Sequence, residues 1–328
     1  MNLAKHLRHT LSVCLLVWRG AVTPALGQDG SACPPPAPAP LTAQQVQEGM
    51  AQARDRGFLW RLTKGDHSSY LYGTIHMAKR EWAFPGPKIL QALREIDTVA
   101  LEVDPLDAKT RQEISSGLKG APALLDLPPA LKNRIARRMA FECVRPETLE
   151  TLAPDVQVMA LTILAARRGG LELSYGIDGM LADFARGAKK RVVSLETSDA
   201  QLAQLRATRA ATGGAAAAAL EKALDELESG RIAANFARLA AAWAEADLTQ
   251  IQPREKAADD SASGTSRSVS AQVLDDRNRG MAAGIDALHS SGSNVFAAVG
   301  SLHLVGTVGL PRLMSEMGYK VEAIPLAP

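Results

Sequence analysis

FLWRLTKGDHSSYLYGTIH, residues 58–76, contains two alternating apolar runs on either side of Lys64-Gly65-Asp66-His67. That pattern folds back on itself as a β-hairpin running from Phe58 to Ile75. Outward from it, helical spacing and short apolar runs alternate. Residues 42–56 read as a helix and Pro87 to Ile96 as another, while Thr98 to Val103 is a short strand. Residues 105–170 read as helices broken at Pro128-Pro129, Pro146 and Pro154, followed by a helix from Gly176 to Gly187 and the strand Arg191 to Leu195. The stretch 198–247 is helical, Asp259 to Ser268 is a small polar loop, and 270–288 is a helix. The strand Asn294 to Val299, a turn at Gly300 to His303, a helix near 308–317 and the strand Tyr319 to Ile324 close the chain. The expectation is an α+β (mixed α/β) fold with a central mixed sheet of about six strands and a large helical insertion.

The ends of the chain read differently. Residues 1–27 carry Lys5, Arg8 and Arg19, a short apolar run from Leu11 to Trp18, and Ala25-Leu26-Gly27. A basic start, a short apolar stretch and small residues at the cleavage position are the marks of a signal peptide cut after Gly27, so the protein is expected to be secreted or periplasmic. About nine apolar residues fall well short of the roughly 20 that span a bilayer, and no later stretch approaches that length. Residues 28–41 include the run ACPPPAPAP, which favours polyproline II and reads as a tether. A single domain is expected over 42–328, with a helical cap over about 105–290.

The formal charge of +2 disappears with the leader, because 37 basic residues less those three leave 34 against 35 acidic. No basic stripe remains to grip nucleic acid. Of the three cysteines, Cys14 leaves with the leader, and Cys33 and Cys143 remain as a candidate disulfide.

Downstream of the leader there are four histidines. Two end the same pattern, Gly73-Thr74-Ile75-His76 and Gly300-Ser301-Leu302-His303, each at the carboxyl end of an expected strand. Ligands in open α/β sheets gather at those ends, so the two imidazoles can share a site. Gly73 and Gly300 leave room for the backbone to turn and for another group to approach. Glu102 interrupts the apolar strand Leu101-Glu102-Val103-Asp104, and a buried carboxylate needs a partner such as a metal or an imidazolium. The same reasoning selects Glu196 after its strand and Asp178 in Gly176-Ile177-Asp178-Gly179, where a helix N-cap is the plainer reading. Arg277 and Asn278 could steady a carboxylate or an oxyanion. His67 and His289 read as solvated bystanders.

YLYGTIH (70–76), ALEVD (100–104), GIDGML (176–181), VVSLET (192–197), DRNRGM (276–281) and AVGSLHLVG (298–306) together resemble the TraB/GumN family (TraB/PrgY/GumN), related to the Tiki metalloproteases. The resemblance runs from about 57 to 325, in order. It implies an EreA/ChaN-like fold and a divalent-metal-dependent hydrolase, specifically a peptidase acting on a peptide or protein. The metal expected from the Tiki branch is manganese or cobalt, with zinc a further candidate. His76, Glu102 and His303 match the metal-site positions, Glu196 or Glu102 would handle the proton, and Arg277 or Asn278 would steady the oxyanion. The pheromone-restraining PrgY branch implies an alternative, a non-catalytic peptide-binding protein. The haem-binding ChaN relatives imply another, haem at the two histidines.

Overall fold

The computed structural model describes residues 33–119, 127–203, 216–251 and 264–326. The expected leader and the expected tether up to residue 32 lie outside the described residues, as does 259–263 of the expected loop. The hairpin consists of Phe58–Lys64 (β1) and His67–Thr74 (β2), paired antiparallel from Phe58 opposite Gly73 to Lys64 opposite His67. Lys320–Ile324 (β6) pairs antiparallel with the outer side of β1. On the other side, Val295–Gly300 (β5) runs parallel to β2, Thr98–Leu101 (β3) parallel to β5, and Arg191–Ser194 (β4) parallel to β3. The result is a mixed six-stranded sheet ordered β4-β3-β5-β2-β1-β6, as the alternation of elements implied.

Among the described residues the α-helices are, in chain order, Ala43–Ala51 (α1), Pro87–Glu95 (α2), Ala108–Leu118 (α3), Pro129–Phe141 (α4), Pro154–Arg167 (α5), Ile177–Gly187 (α6), Ala216–Glu228 (α7), Arg231–Ala244 (α8), Gly264–Ser290 (α9) and Leu310–Glu316 (α10), with a further helical stretch at 198–203. Helix α9 begins earlier than the sequence suggested and takes in 264–268 of the expected loop. Serine and threonine each cost only a few tenths of a kcal/mol within a helix, so a small polar run does not by itself end one. The expected turn at Gly300 to His303 is a 3₁₀ helix, Ser301–Leu304.

Parallel neighbours cannot be joined by tight turns, so helices make the crossovers and cover the sheet. Strand β3 is buried along its whole length, and β5 along all of it but Gly300. Such strands read as continuous apolar runs rather than alternations. Helix α2 begins where the Asp55 carboxylate accepts from the amides of Lys88 (3.0 Å) and Ile89 (3.1 Å), and it buries Ile89, Ala92 and Leu93 at helical spacing. Those residues join Leu62, Leu71, Val99, Leu101, Ile285 and Phe296 in the main core. A second core, of Leu131, Ile135, Leu149, Leu161, Leu224 and Leu227, is enclosed by α4, α5 and α7. Among the described residues no helix is long and apolar enough to cross a membrane.

Cys33 and Cys143 are joined by a disulfide, with Cα atoms 5.6 Å apart and 110 residues between them in sequence. It fastens the Pro-rich tether to the end of α4. Closing so long a loop restricts the unfolded chain, which is worth roughly 2–5 kcal/mol in small domains. Urea unfolding with and without a reductant, or of Cys143→Ser, is expected to show a loss of about 2–4 kcal/mol. An unchanged midpoint would show that the tether contributes nothing.

Candidate functional site

Because β2, β5 and β3 are parallel neighbours, their carboxyl ends meet at one edge of the sheet. Thr74 lies opposite Gly300, and Leu101 opposite Ala298. His76 follows β2, Glu102 follows β3, and His303 sits on the 3₁₀ helix after β5, so segments more than 200 residues apart in sequence deliver their side chains to one place. Gly300 lies between them. A Cβ there would stand 3.0 Å from Glu102 Oε1, 3.7 Å from His76 Nε2 and 3.8 Å from His303 Cδ2. Gly73 plays a different part, since a Cβ there would collide with Leu304 Cδ1 at 2.4 Å. One motif glycine keeps the site open; the other lets the 3₁₀ helix pack on β2.

Each imidazole is held from behind. His76 Nδ1 lies 2.8 Å from Asp178 Oδ2, and the other Asp178 oxygen accepts from Thr74 Oγ1 at 2.8 Å. Asp178 is therefore more than a helix-start residue, because its side chain orients His76. Asn278 Nδ2 donates to the Val308 carbonyl at 2.8 Å, which leaves Asn278 Oδ1 to accept from His303 Nδ1–H at 2.5 Å. Both imidazoles thus turn Nε2 toward the space over Gly300, the arrangement by which second partners orient metal-binding histidines. His303 is buried, whereas 64% of the His76 side chain is exposed.

Glu102 is 6% exposed and satisfied on every side. Its Oε1 accepts from the Gly300 amide at 2.6 Å, and its Oε2 accepts from Arg277 Nη2 at 2.9 Å and Gln201 Nε2 at 3.0 Å. Arg277 also grips Glu196 through Nε (2.9 Å) and Nη2 (2.8 Å), and Gln201 Nε2 donates to Glu196 Oε2 at 2.9 Å. Burial opposes the Glu102 charge, but His303, His76, the Gly300 amide and Arg277 outweigh it and hold the carboxyl down to about 2. Burial lowers the pKa of His303, while Asp178 raises His76 to about 9.

Several roles read from sequence change here. Asn278, expected to steady an oxyanion, is 1% exposed and spends its amide on His303 and Val308; it positions the histidine. Glu196, a candidate base, has both oxygens taken up by Arg277 and Gln201. Arg277 neutralises the two glutamates. Gln201 went unnoticed in the sequence, since no motif surrounds it, yet its amide bridges both carboxylates. Thr74 also went unnoticed, although it lies inside the first G-x-x-H motif and anchors Asp178. His289, expected in solvent, is 1% exposed: it stacks on His67 at 3.9 Å between ring centroids, receives the Ser69 hydroxyl at Nδ1 (2.8 Å) and binds the Lys64 carbonyl through Nε2 (2.9 Å). That pair pins the hairpin turn to the end of α9.

The donor set can be tested against a divalent ion. His303 Nε2 and Glu102 Oε1 lie 3.5 Å apart with lone pairs on both. Two ligands each about 2.1 Å from a tetrahedral ion stand about 3.4 Å from one another, so this pair has a ligand spacing. His76 Nε2 borders the same space from the exposed side. Among the described residues, however, no three His, Cys, Asp or Glu side chains stand close enough together to hold a metal, and Arg277 already supplies positive charge to Glu102. The donor types are those that take divalent ions, and the structure brings two of them, His303 and Glu102, to a ligand spacing, with the ring of His76 on the exposed side of the same space.

The model of the TraB/PrgY/gumN family matches residues 58–323, from the first residue of β1 to within β6. The chain belongs to the TraB/PrgY/gumN family. It is similar to the protein YbaP of Shigella flexneri, 28% identical over 142 residues that cover 43% of this chain and 53% of YbaP. YbaP of Escherichia coli strain K12 is 27% identical over the same length. The chain thus spans about half the length of the curated relatives it matches. No solved structure matches. The family match takes in both G-x-x-H motifs, Glu102 and Arg277.

Two outcomes follow from the geometry. Gly300 has φ −54°, which alanine adopts freely, so Gly300→Ala reads only the crowding of Glu102 and the histidines. It is expected to cost about 1–3 kcal/mol in urea unfolding, as overpacking does. His76, whose pKa is raised from its ordinary 6.5 to about 9, is expected to titrate near pH 9 by NMR and to fall back toward 6.5 in Asp178→Asn. The stabilisation by the His76–Asp178 pair is then complete below pH 6.5 and lost as pH rises through about 9.

Proposed function

We propose that the protein is a divalent-metal-dependent hydrolase, a peptidase in its substrate class, working outside the cytoplasm through His76, Glu102 and His303. The observation that carries this reading is the meeting of both G-x-x-H histidines and Glu102 over Gly300, each imidazole tied back through Nδ1. Manganese or cobalt is the ion the Tiki resemblance favours. When bound, a divalent ion polarises a scissile carbonyl and acidifies water. The chain's own contribution is orientation. Asp178 and Asn278 fix the rings so that Nε2 faces inward, and Arg277 with Gln201 holds Glu102 ionised with Oε1 toward the same space. The open side is at His76, where a peptide can approach. The signal-like leader and the Cys33–Cys143 disulfide, a bond that survives in oxidising compartments, support export.

Metal content by mass spectrometry tests this reading on residues 28–328, dialysed against manganese, cobalt and zinc, beside His76→Ala and His303→Ala. Near one ion per chain in the parent, lost in both variants while circular dichroism is unchanged, is the expected result. Cleavage of a peptide library should disappear with the ion. A parent that takes up none of the three ions would shift the reading to peptide binding without hydrolysis.

A further inference from the structure

A second site lies away from the histidines, at the outer side of the hairpin. A cavity of about 340 Å³ opens between α2 and strands β1, β2 and β6, lined by Arg61, Tyr70, Lys88, Ala92, Glu322 and Ile324. Arg61, Tyr70 and Glu322 come together because they are in register, Arg61 facing Tyr70 on one side and Glu322 on the other. We propose that this cavity binds a carboxylate end group carrying a short apolar arm, with Arg61 as the anchor.

The argument rests on Arg61. The well-buried arginines Arg134, Arg138, Arg167 and Arg277 are each held by a carboxylate within 3 Å. The guanidinium of Arg61 instead has only a neutral phenol, Tyr70 Oη at 3.3 Å, as its hydrogen-bond partner, and its buried Nε has none. A buried N–H without a partner is destabilising, and a planar fork of donors is shaped for a carboxylate. The two acids nearby are engaged elsewhere: Glu95 accepts from Tyr70 and Gln91, and Glu322 pairs with Lys320 at 2.8 Å. Lys88 adds a second cation, although its ammonium now rests on the Pro325 carbonyl. Ala92, Ile324 and the Tyr70 ring supply the apolar wall. The volume suits an acid of branched-chain size rather than a large cofactor. Both a free acid and the carboxyl end of a peptide carry this group.

NMR titration of the protein with 4-methylpentanoate, its amide, and a tripeptide ending in leucine, either as free acid or amidated, tests the proposal. The free acid is expected to shift the amides of β1 and α2 in a saturable way, and both amides are not. Arg61→Gln should weaken binding about tenfold or more, the effect of losing a charged hydrogen-bond pair, and Lys88→Gln less. Thermal unfolding of both variants separates lost binding from lost fold, and Lys88→Gln keeps the test alive if Arg61→Gln unfolds. Tighter binding of the free-acid tripeptide than of 4-methylpentanoate assigns the site to chain ends; the reverse assigns it to small acids. Equal shifts from acid and amide, shifts unaffected by Arg61→Gln in a folded protein, or none from either acid would overturn it. Because His76 and His303 take no part, the result is independent of metal content.

Discussion

A buried carboxylate organises this protein. Glu102 sits at the end of a strand that is wholly buried, and an unpaired charge there would cost several kcal/mol. Its compensation comes from three distant parts of the chain: the Gly300 amide at the end of β5, Arg277 on α9 and Gln201 beyond β4. Each of these can reach Glu102 only if β3, β5 and β4 are parallel neighbours with carboxyl ends at one edge. The charge therefore demands the topology, and the topology in turn brings the histidines in.

Arg277 and Asn278 show how one helix serves two purposes. Adjacent helical residues point about 100° apart. Arg277 reaches sideways to the glutamate pair, while Asn278 faces His303 and the Val308 carbonyl. Helix α9 thereby fixes the charge of Glu102 and the tautomer of His303 together. The polar network is closed: Glu102, Glu196, Asn278 and His303 are nearly inaccessible to water, and His76 alone leads outward. Closed networks of this kind hold one geometry firmly.

Much of this was legible in the chain. The hairpin follows from alternation around a Gly-Asp turn, and the parallel strands from short apolar runs between helical segments. The paired G-x-x-H motifs and the acid inside an apolar run marked His76, Glu102 and His303, because the same pattern recurs at two strand ends and a carboxylate within an apolar run needs a partner. What could not be read was which polar groups face each other. Gln201 sits in a helical run with no distinguishing neighbours, and Asn278 and Glu196 looked like reacting groups because a sequence does not show that their hydrogen bonds are already spent.

The same division holds for the whole molecule. By itself the sequence determined the elements, the mixed sheet, the two cysteines available for pairing and the residues able to carry chemistry, since each depends on local periodicity, charge or composition. The tertiary structure alone decided that Gly300 is the open space, that His289 is buried against His67, that Arg277 pairs with two glutamates, and that Arg61 borders a cavity with a phenol as its hydrogen-bond partner. Those facts are sums of contacts between residues tens to hundreds of positions apart, and such contacts exist only once strand order and register are set.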